Sequence, residues 1–220
     1  MNRRVAVFDL DGTLVDSTLQ IFTAMATARK SMCMPEITPD FIAQNLGLPI
    51  NGLIPEKDLG ENVRQELIRI FRVELLNLIH QENTLYPGVL ALINELINRG
   101  FSIGIATSKP QALAEAVVLH SELKGKIDCV QGTDSFPPKP NPEVIMRCLA
   151  KLDNKTGVML GDRIEDVTAA KLAKVPSIGI SQTAHTKSEL LLAGASYALD
   201  NFTDLKHLIQ IISELSITNP

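Results

Sequence analysis

The sequence lacks the features that mark membrane-spanning, exported and metal-thiolate proteins. No stretch approaches the roughly 18 consecutive apolar residues of a membrane span, and no apolar export segment follows residues 1–4. The three cysteines, Cys33, Cys129 and Cys148, show no metal-ligand spacing. We therefore expect free thiols that fill core space, and a soluble, cytoplasmic protein with no membrane partner.

Basic clusters and nucleotide-binding glycine loops are also absent. The formal net charge is -4, and no run of lysine and arginine stands out. Nucleic-acid surfaces are usually basic, so we expect no nucleic-acid partner. Neither a G-x-G-x-x-G segment after the first strand nor a glycine–lysine phosphate loop is found, which argues against a dinucleotide-binding enzyme.

What is present is a regular alternation of short apolar strands and amphipathic helices. Residues 5–8 read as a buried strand, residues 18–81 as helices and loops only, and the chain beyond residue 87 as repeated helix–strand units. This order predicts an α/β fold, a doubly wound parallel sheet formed by residues 1–15 and 83–220. Residues 16–82 are predicted to form an inserted helical cap domain.

The first strand ends in two carboxylates, Asp9 and Asp11, followed by Gly12. Ligands of a doubly wound sheet bind at the carboxyl ends of its strands. Burying two carboxylates there is costly unless a cation or a shared proton compensates, and Mg²⁺ with a phosphoryl substrate would meet that need. The alternative is a tight hairpin turn, but residues after the turn are polar and then helical rather than alternating.

Polar groups also follow the second strand, at Thr107 and Ser108. A hydroxyl beside a helix amino terminus suits a phosphate oxygen. The alternative is helix capping, in which Ser108 and Gln111 form a capping box. That alternative leaves Thr107 without a role.

The third and fourth strands are followed by a lysine and by a second carboxylate pair. Lys139 lies between prolines, on a stiff backbone that would hold its charge against a phosphate, although a single loop lysine is more often exposed. Asp162 and Asp166 would point to one side of the sheet top and complete an oxygen-rich Mg²⁺ site. The alternative is a capping box of Asp162 with Glu165, which leaves Asp166 unexplained.

The order of these groups along successive strands resembles the haloacid dehalogenase superfamily of phosphohydrolases. The closest likeness is to its phosphoglycolate-phosphatase-like branch with a helical cap. The likeness covers nearly the whole chain. Four segments carry it: residues 9–13, 107–108, 139–140 and 161–166.

The resemblance implies a role for each group. Asp9 would be the nucleophile that forms an aspartyl-phosphate, and Asp11 the general acid/base. The remaining implied ligands are Thr107, Ser108 and Lys139 for phosphate, and Asp9, Asp11 (through its backbone carbonyl), Asp162 and Asp166 for the cofactor Mg²⁺. The implied substrate is a small phosphorylated metabolite such as 2-phosphoglycolate, selected by the loop around residues 48–51.

Two departures and three rival functions accompany this resemblance. Arg163 stands where the branch usually has serine, and we expect its side chain to reach solvent; Lys174 stands in place of a usual glycine. Dehalogenases of this superfamily do not need an acid/base carboxylate at the position of Asp11, so the presence of Asp11 argues against that reaction. A sugar-phosphate mutase remains open, although Thr13 favours a phosphatase, and a non-catalytic phosphate-binding protein would be expected to lack one of these groups. Oligomeric state is left open.

Overall fold

The computed structural model of the protein describes residues 3–81 and 83–216. Its strands are β1 (Val5–Phe8), β2 (Val15–Asp16), β3 (Thr84–Leu85), β4 (Ser102–Ala106), β5 (Cys129–Gln131), β6 (Val158–Gly161), β7 (Ser177–Ile180) and β8 (Tyr197–Leu199). Its α-helices are α1 (Thr18–Ser31), α2 (Pro39–Asn45), α3 (Glu61–Ile79), α4 (Val89–Asn98), α5 (Gln111–Leu119), α6 (Glu143–Lys151), α7 (Ile164–Leu172), α8 (Lys187–Ala193) and α9 (Leu205–Leu215). No helix in these ranges is both long and apolar enough to cross a bilayer.

Six of the strands form one parallel sheet in the order β5-β4-β1-β6-β7-β8. The chain builds outward from β1 through β4 to β5, and then returns to β6 on the other side of β1. This reversal makes the carboxyl ends of β1 and β6 the switch point where such sheets bind ligands. The predicted α/β fold with a doubly wound parallel sheet is confirmed.

The central strand is buried on both of its faces. Ala6 and Phe8 join the larger apolar cluster, which includes residues of α4, α5 and α9. Val5 and Val7 join a second cluster with residues of α6 and α7. Successive side chains of a strand point to opposite faces, so β1 contributes to two cores, and helices cover both sides of the sheet.

Between β2 and β3 the described chain is helical, as expected, and α1 packs along α3. The sequence did not reveal that β2 and β3 pair as an antiparallel ribbon at the base of these helices. Strands of two residues are too short to show an alternating pattern. The division into residues 1–15 with 83–220 and 16–82 stays a prediction, and residues 1–2, 82 and 217–220 lie outside the described part.

A buried arginine fixes the loop that follows α2. Arg29 of α1 donates to the carbonyl oxygen of Pro35 at 2.7 Å and to the two carboxylate oxygens of Glu56 at 3.0 and 2.5 Å. Its side chain is 2% exposed, so these bonds replace the water that a guanidinium requires. The loop leading to α3 is thereby tied to α1.

The three cysteines are free, as expected, but they do not all fill the core. Cys129 and Cys148 are buried, whereas Cys33 is exposed, which corrects the expectation for that residue. Cys33 lies just after α1 with a φ of 53°, in the turn that carries the chain away from the helix.

We predict that Leu67→Ala lowers the free energy of unfolding by about 2–5 kcal/mol, because it opens a cavity where α3 meets the core. Leu67 is completely buried, whereas Val73 on the same helix is 49% exposed. The matched control Val73→Ala should change stability by less than about 0.5 kcal/mol. Urea unfolding measures both, and equal losses would contradict the packing described for α3.

Candidate active site

Three buried carboxylates meet at the switch point of the sheet. Asp9 follows β1, Asp162 follows β6, and Asp166 lies in the first turn of α7. One oxygen from each lies within 4.8 Å of the others. Because β1 and β6 are neighbours, the fold itself brings these three groups together.

The Lys139 ammonium lies between two of these carboxylates. Its Nζ is 2.5 Å from Oδ1 of Asp9 and 2.6 Å from Oδ1 of Asp166. It also donates to the carbonyl oxygen of Ala106, at the end of β4, at 3.0 Å. Lys139 lies in the loop between β5 and α6, so one side chain joins the ends of several strands. The alternative of an exposed loop lysine is wrong, since this side chain is 2% exposed.

Burial shifts the pKa values of this group. Desolvation raises the pKa of Asp9 to about 8, with Asp166 and Asp162 adding to the rise and the Lys139 charge opposing it. Desolvation also raises the pKa of Asp162 to about 6, and the charge of Asp166 adds to it. Burial alone would lower the pKa of Lys139, but the charges of Asp166 and Asp9 outweigh burial and raise it. The raised pKa values of Asp9 and Asp162 indicate that the charge of Lys139 does not offset the burial of these carboxylates.

This donor set fits a hard divalent cation. All three side chains offer carboxylate oxygens, which are the ligands that Mg²⁺ prefers. Gly12 keeps space open beside them, because a Cβ at this position would lie 2.8 Å from Oδ2 of Asp162. Asp11 was predicted to bind the metal through its backbone carbonyl, and that stays a prediction; its side chain is not part of this carboxylate cluster in the described residues.

Asp162 is held by hydroxyl groups from two loops. Thr13 donates to its Oδ1 at 2.6 Å, and Thr183, which follows β7, donates to its Oδ2. Gln182 donates to the carbonyl oxygens of Gly12 and Thr13 at 2.9 and 2.8 Å. The β7 end thus clamps the turn after β1. The sequence analysis missed both Gln182 and Thr183, although they stand at a strand end like the residues it selected.

The alternative of a capping box between Asp162 and Glu165 gave Asp166 no role. In the structure Asp166 is the residue that caps α7. Its carboxylate accepts from the backbone N–H of Arg163 at 3.0 Å, in the capping position three residues after the N-cap residue Arg163. The capping box of Asp162 with Glu165 is therefore wrong. Asp166 uses one oxygen for the helix and the other for Lys139.

A second carboxylate–lysine pair surrounds Asp11. The Lys109 Nζ is 2.8 Å from both Oδ1 and Oδ2 of Asp11, and Ser17 donates to Oδ1 at 2.6 Å. Ser17 stands at the N-cap position of α1, but its hydroxyl binds Asp11 and does not cap the helix. The sequence analysis missed Lys109. The signal was there, because Lys109 precedes a proline after a strand, as Lys139 does.

The predicted phosphate ligands Thr107 and Ser108 lie at the end of β4. Thr107 is buried, and its hydroxyl accepts from the backbone N–H of Lys109 at 3.2 Å. The capping box of Ser108 with Gln111 does not form, since Pro110 is the residue before α5. A proline disfavours helical backbone in the residue before it, so the helix begins two residues later than such a box would need.

Arg163 does not reach solvent, which corrects the expectation for this residue. It is 7% exposed and donates from Nη1 to the carbonyl oxygens of Leu46 at 2.8 Å and Gln44 at 3.4 Å. These carbonyls belong to the end of α2, where helices leave acceptors unpaired. Arg163 therefore ties the loop after β6 to the segment that leads to residues 47–55.

A small cavity of about 40 Å³ opens beside Asp11. Its lining combines Lys109 and Ser108 with side chains from α1, α3, α5 and the loop after α2. These are Ile21, Gly47, Leu48, Ile50, Leu53, Phe71, Arg72, Leu75, Pro110 and Leu113. The cavity joins the end of the sheet to the helices between β2 and β3.

Known proteins share this chain's sequence and fold. The family model for haloacid dehalogenase-like hydrolases matches residues 6–180. The chain is 31% identical to the probable phosphatase IndB of Dickeya dadantii (strain 3937), covering 96% of each chain. It is 30% identical to a phosphoglycolate phosphatase of Aquifex aeolicus (strain VF5), covering 77% of this chain and 81% of that one. A solved structure of a predicted phosphatase from Clostridium acetobutylicum superposes with a TM-score of 0.82 at 25% identity, over 96% of this chain and 100% of that chain.

We predict that Gly12→Ala destabilises the fold more than Gly125→Ala does. Both glycines have left-handed backbone, with φ of 87° and 75°, so alanine costs about 1–2 kcal/mol at either position. Only at Gly12 does the new methyl group also meet the Asp162 carboxylate, whereas nothing lies within 4 Å at Gly125. Urea unfolding of the two variants would show equal losses if the turn after β1 were not packed against Asp162.

Proposed function

The chain belongs to the haloacid dehalogenase-like hydrolase family, and from this premise we propose that it hydrolyses small phosphomonoesters through an aspartyl-phosphate on Asp9, with Mg²⁺ as cofactor. The observation that carries the proposal is the contact of Lys139 with Asp9 inside the buried carboxylate cluster. The printed names of the relatives, probable phosphatase and phosphoglycolate phosphatase, support the same reaction class.

Asp9 acts as the nucleophile. Its carboxylate attacks phosphorus, the bond from phosphorus to the ester oxygen breaks, and the phosphoryl group is left on the carboxylate. Water then attacks this acyl phosphate and releases inorganic phosphate, which restores Asp9. Its burial beside Lys139 keeps the carboxylate in one position and excludes bulk water before the ester binds.

Asp11 acts as the general acid/base. It delivers a proton to the departing ester oxygen and takes one from the water that attacks in the second half-reaction. Its position two residues after Asp9 places it at the same strand end, and Ser17 holds its Oδ1 at 2.6 Å. One residue thereby serves both halves of the cycle.

The phosphoryl oxygens bind Lys139, Thr107 and Ser108. Lys139 brings a positive charge to the place where phosphoryl oxygens accumulate negative charge. The Thr107 hydroxyl, at the adjacent strand end, is buried and directed by its bond from the Lys109 N–H. Together these groups would bind the transferred group rather than the leaving group.

The Mg²⁺ site is formed by Asp9, Asp162 and Asp166, together with the backbone carbonyl of Asp11. When bound, the cation supplies positive charge that offsets the carboxylates and the phosphoryl oxygens. Its positive charge favours the ionised form of Asp9, which burial otherwise disfavours. Thr13 orients Asp162 for this task.

Residues 16–82 serve as the cap, and the loop around Leu48 and Ile50 selects the leaving group. Both side chains line the cavity beside Asp11. The cavity joins Asp11 to the helices of the cap, so a leaving group next to Asp11 would contact the loop.

We predict Mg²⁺-dependent phosphate release from a panel of small phosphoesters, including 2-phosphoglycolate and hexose phosphates, and its loss in EDTA. Asp9→Asn should abolish release, since an amide is not a nucleophile for this step. The matched control Asp58→Asn, at an exposed residue, should keep the parent rate. Parent-rate turnover by the Asp9 variant, or isomerisation of β-glucose 1-phosphate without phosphate release, would contradict the proposal.

We predict that Mg²⁺ at about 100 times its Kd raises the free energy of unfolding by about 2.7 kcal/mol. For a chain of this size that corresponds to a rise in Tm of roughly 5–10 °C, which EDTA should reverse. Asp162→Asn should remove most of the shift and Asp58→Asn none of it. Differential scanning calorimetry without substrate measures this, and a full shift in the Asp162 variant would argue against the assigned ligands.

A further inference from the structure

We propose that Lys109 is a latch on Asp11 that a second anion on the leaving group displaces. The proposal rests on the proposed function, and it adds what the leaving group must carry. In the structure Lys109 pairs with the residue that would serve the leaving oxygen. A substrate with a carboxylate or a second phosphate would draw the ammonium away and release that residue for the reaction.

The latch contacts both oxygens of the Asp11 carboxylate. Oδ1 accepts from both Ser17 and Lys109, and Oδ2 accepts from Lys109 at 2.8 Å. A leaving oxygen or an attacking water must contact one of these carboxylate oxygens to exchange a proton with it. While Lys109 stays in place, its Nζ takes one acceptor position on each oxygen and so competes with such a partner for Asp11.

Lys109 borders the cavity in which the leaving group would lie. Its side chain is 5% exposed, and the cavity lining around it includes Leu48, Phe71 and Leu113. Such apolar surroundings strengthen an ion pair and raise the cost of leaving either partner alone. The ammonium will therefore leave Asp11 only for another negatively charged group.

Arg72 provides a second positive charge on the same cavity. It is an exposed residue of α3, and it lines the cavity with Lys109 and Asp11. Among the described contacts, Arg72 makes no ion pair. Two cations that line one cavity are suited to an anionic group.

A neutral leaving group would bind without releasing Asp11. A hydroxyl group can accept a hydrogen bond from an ammonium, but it does not replace a carboxylate as the partner of a buried charge. The latch thus discriminates by charge rather than by size. Discrimination should be seen in kcat, since the neutral ester still places its phosphoryl group beside Lys139.

The test compares three esters that differ at one end. The first is 2-phosphoglycolate, which carries a carboxylate at that end. The second is 2-hydroxyethyl phosphate, which carries a neutral hydroxymethyl group there. The third is ethane-1,2-diol bisphosphate, which carries a second phosphate. For the parent protein with Mg²⁺ we expect kcat on the neutral ester to be roughly 10- to 100-fold below that on an anionic ester. Comparison of the two anionic esters shows whether a carboxylate or a phosphate is the natural partner.

The variant Lys109→Met should remove this preference. The kcat on 2-hydroxyethyl phosphate should rise toward that on the anionic ester, because Asp11 is then free without a displacing anion. The kcat/KM on the anionic ester should fall by roughly 10- to 100-fold, because its anionic group loses the ammonium as a partner. Lys109→Arg keeps the charge and should keep the preference for anionic esters. Arg72→Gln should raise KM for the anionic esters alone, with Arg69→Gln, on an exposed face of the same helix, as control.

The outcomes of these experiments separate an error in the proposed function from an error in the latch. If the parent protein hydrolyses no phosphoester, the proposed function is wrong. If it hydrolyses the neutral and anionic esters equally well, the phosphatase stands and the latch is overturned; this comparison needs no variant to fold. If Lys109→Met lowers turnover of both ester classes by the same factor, Lys109 only supports Asp11 or the phosphoryl group, and the latch is again overturned.

Discussion

The charge balance around Lys139 is the constraint on which the rest of the site depends. Three buried carboxylates lie within reach of one another, and the single ammonium among them, that of Lys139, contacts two of the three, so two negative charges are left uncompensated when all these groups are ionised. Such a cluster is costly in a folded protein unless it binds a cation. The three carboxylates at the centre of the sheet could hold a divalent cation, and the raised pKa of Asp9 reflects the same shortage of positive charge.

The sheet topology and the loop contacts meet this constraint together. Because β1 and β6 are adjacent, Asp9 and Asp162 come close without any long side chain. The turn after β1 then needs support, which Gln182 and Thr183 provide from the end of β7. Arg163 extends the same network to the end of α2, so the loop that borders the cavity is anchored to the strand end that holds the carboxylates.

The fold class and the clustering of the main site residues could be predicted from the sequence, because the carboxyl ends of strands in a parallel sheet lie at the same edge. Asp9, Lys139 and Asp162 were each found as a polar residue after an apolar strand, and the structure brings them together. Capping patterns were less informative, since one hydroxyl or carboxylate can serve a helix or a distant group. Ser17 gave its hydroxyl to Asp11, and Asp166 served a helix and a lysine at once. Such choices depend on tertiary neighbours that no local pattern records.

Each of the two carboxylates assigned to the chemistry has its own lysine, and the two pairs differ in a way that separates their roles. Lys139 is held by two carboxylates and a backbone carbonyl, so displacing it would break three contacts at once. Lys109 is held by Asp11 alone among the described side chains and opens onto a cavity lined by a second cation. A fixed charge suits the phosphoryl group, which every substrate shares. A displaceable charge suits the leaving group, which is where substrates differ.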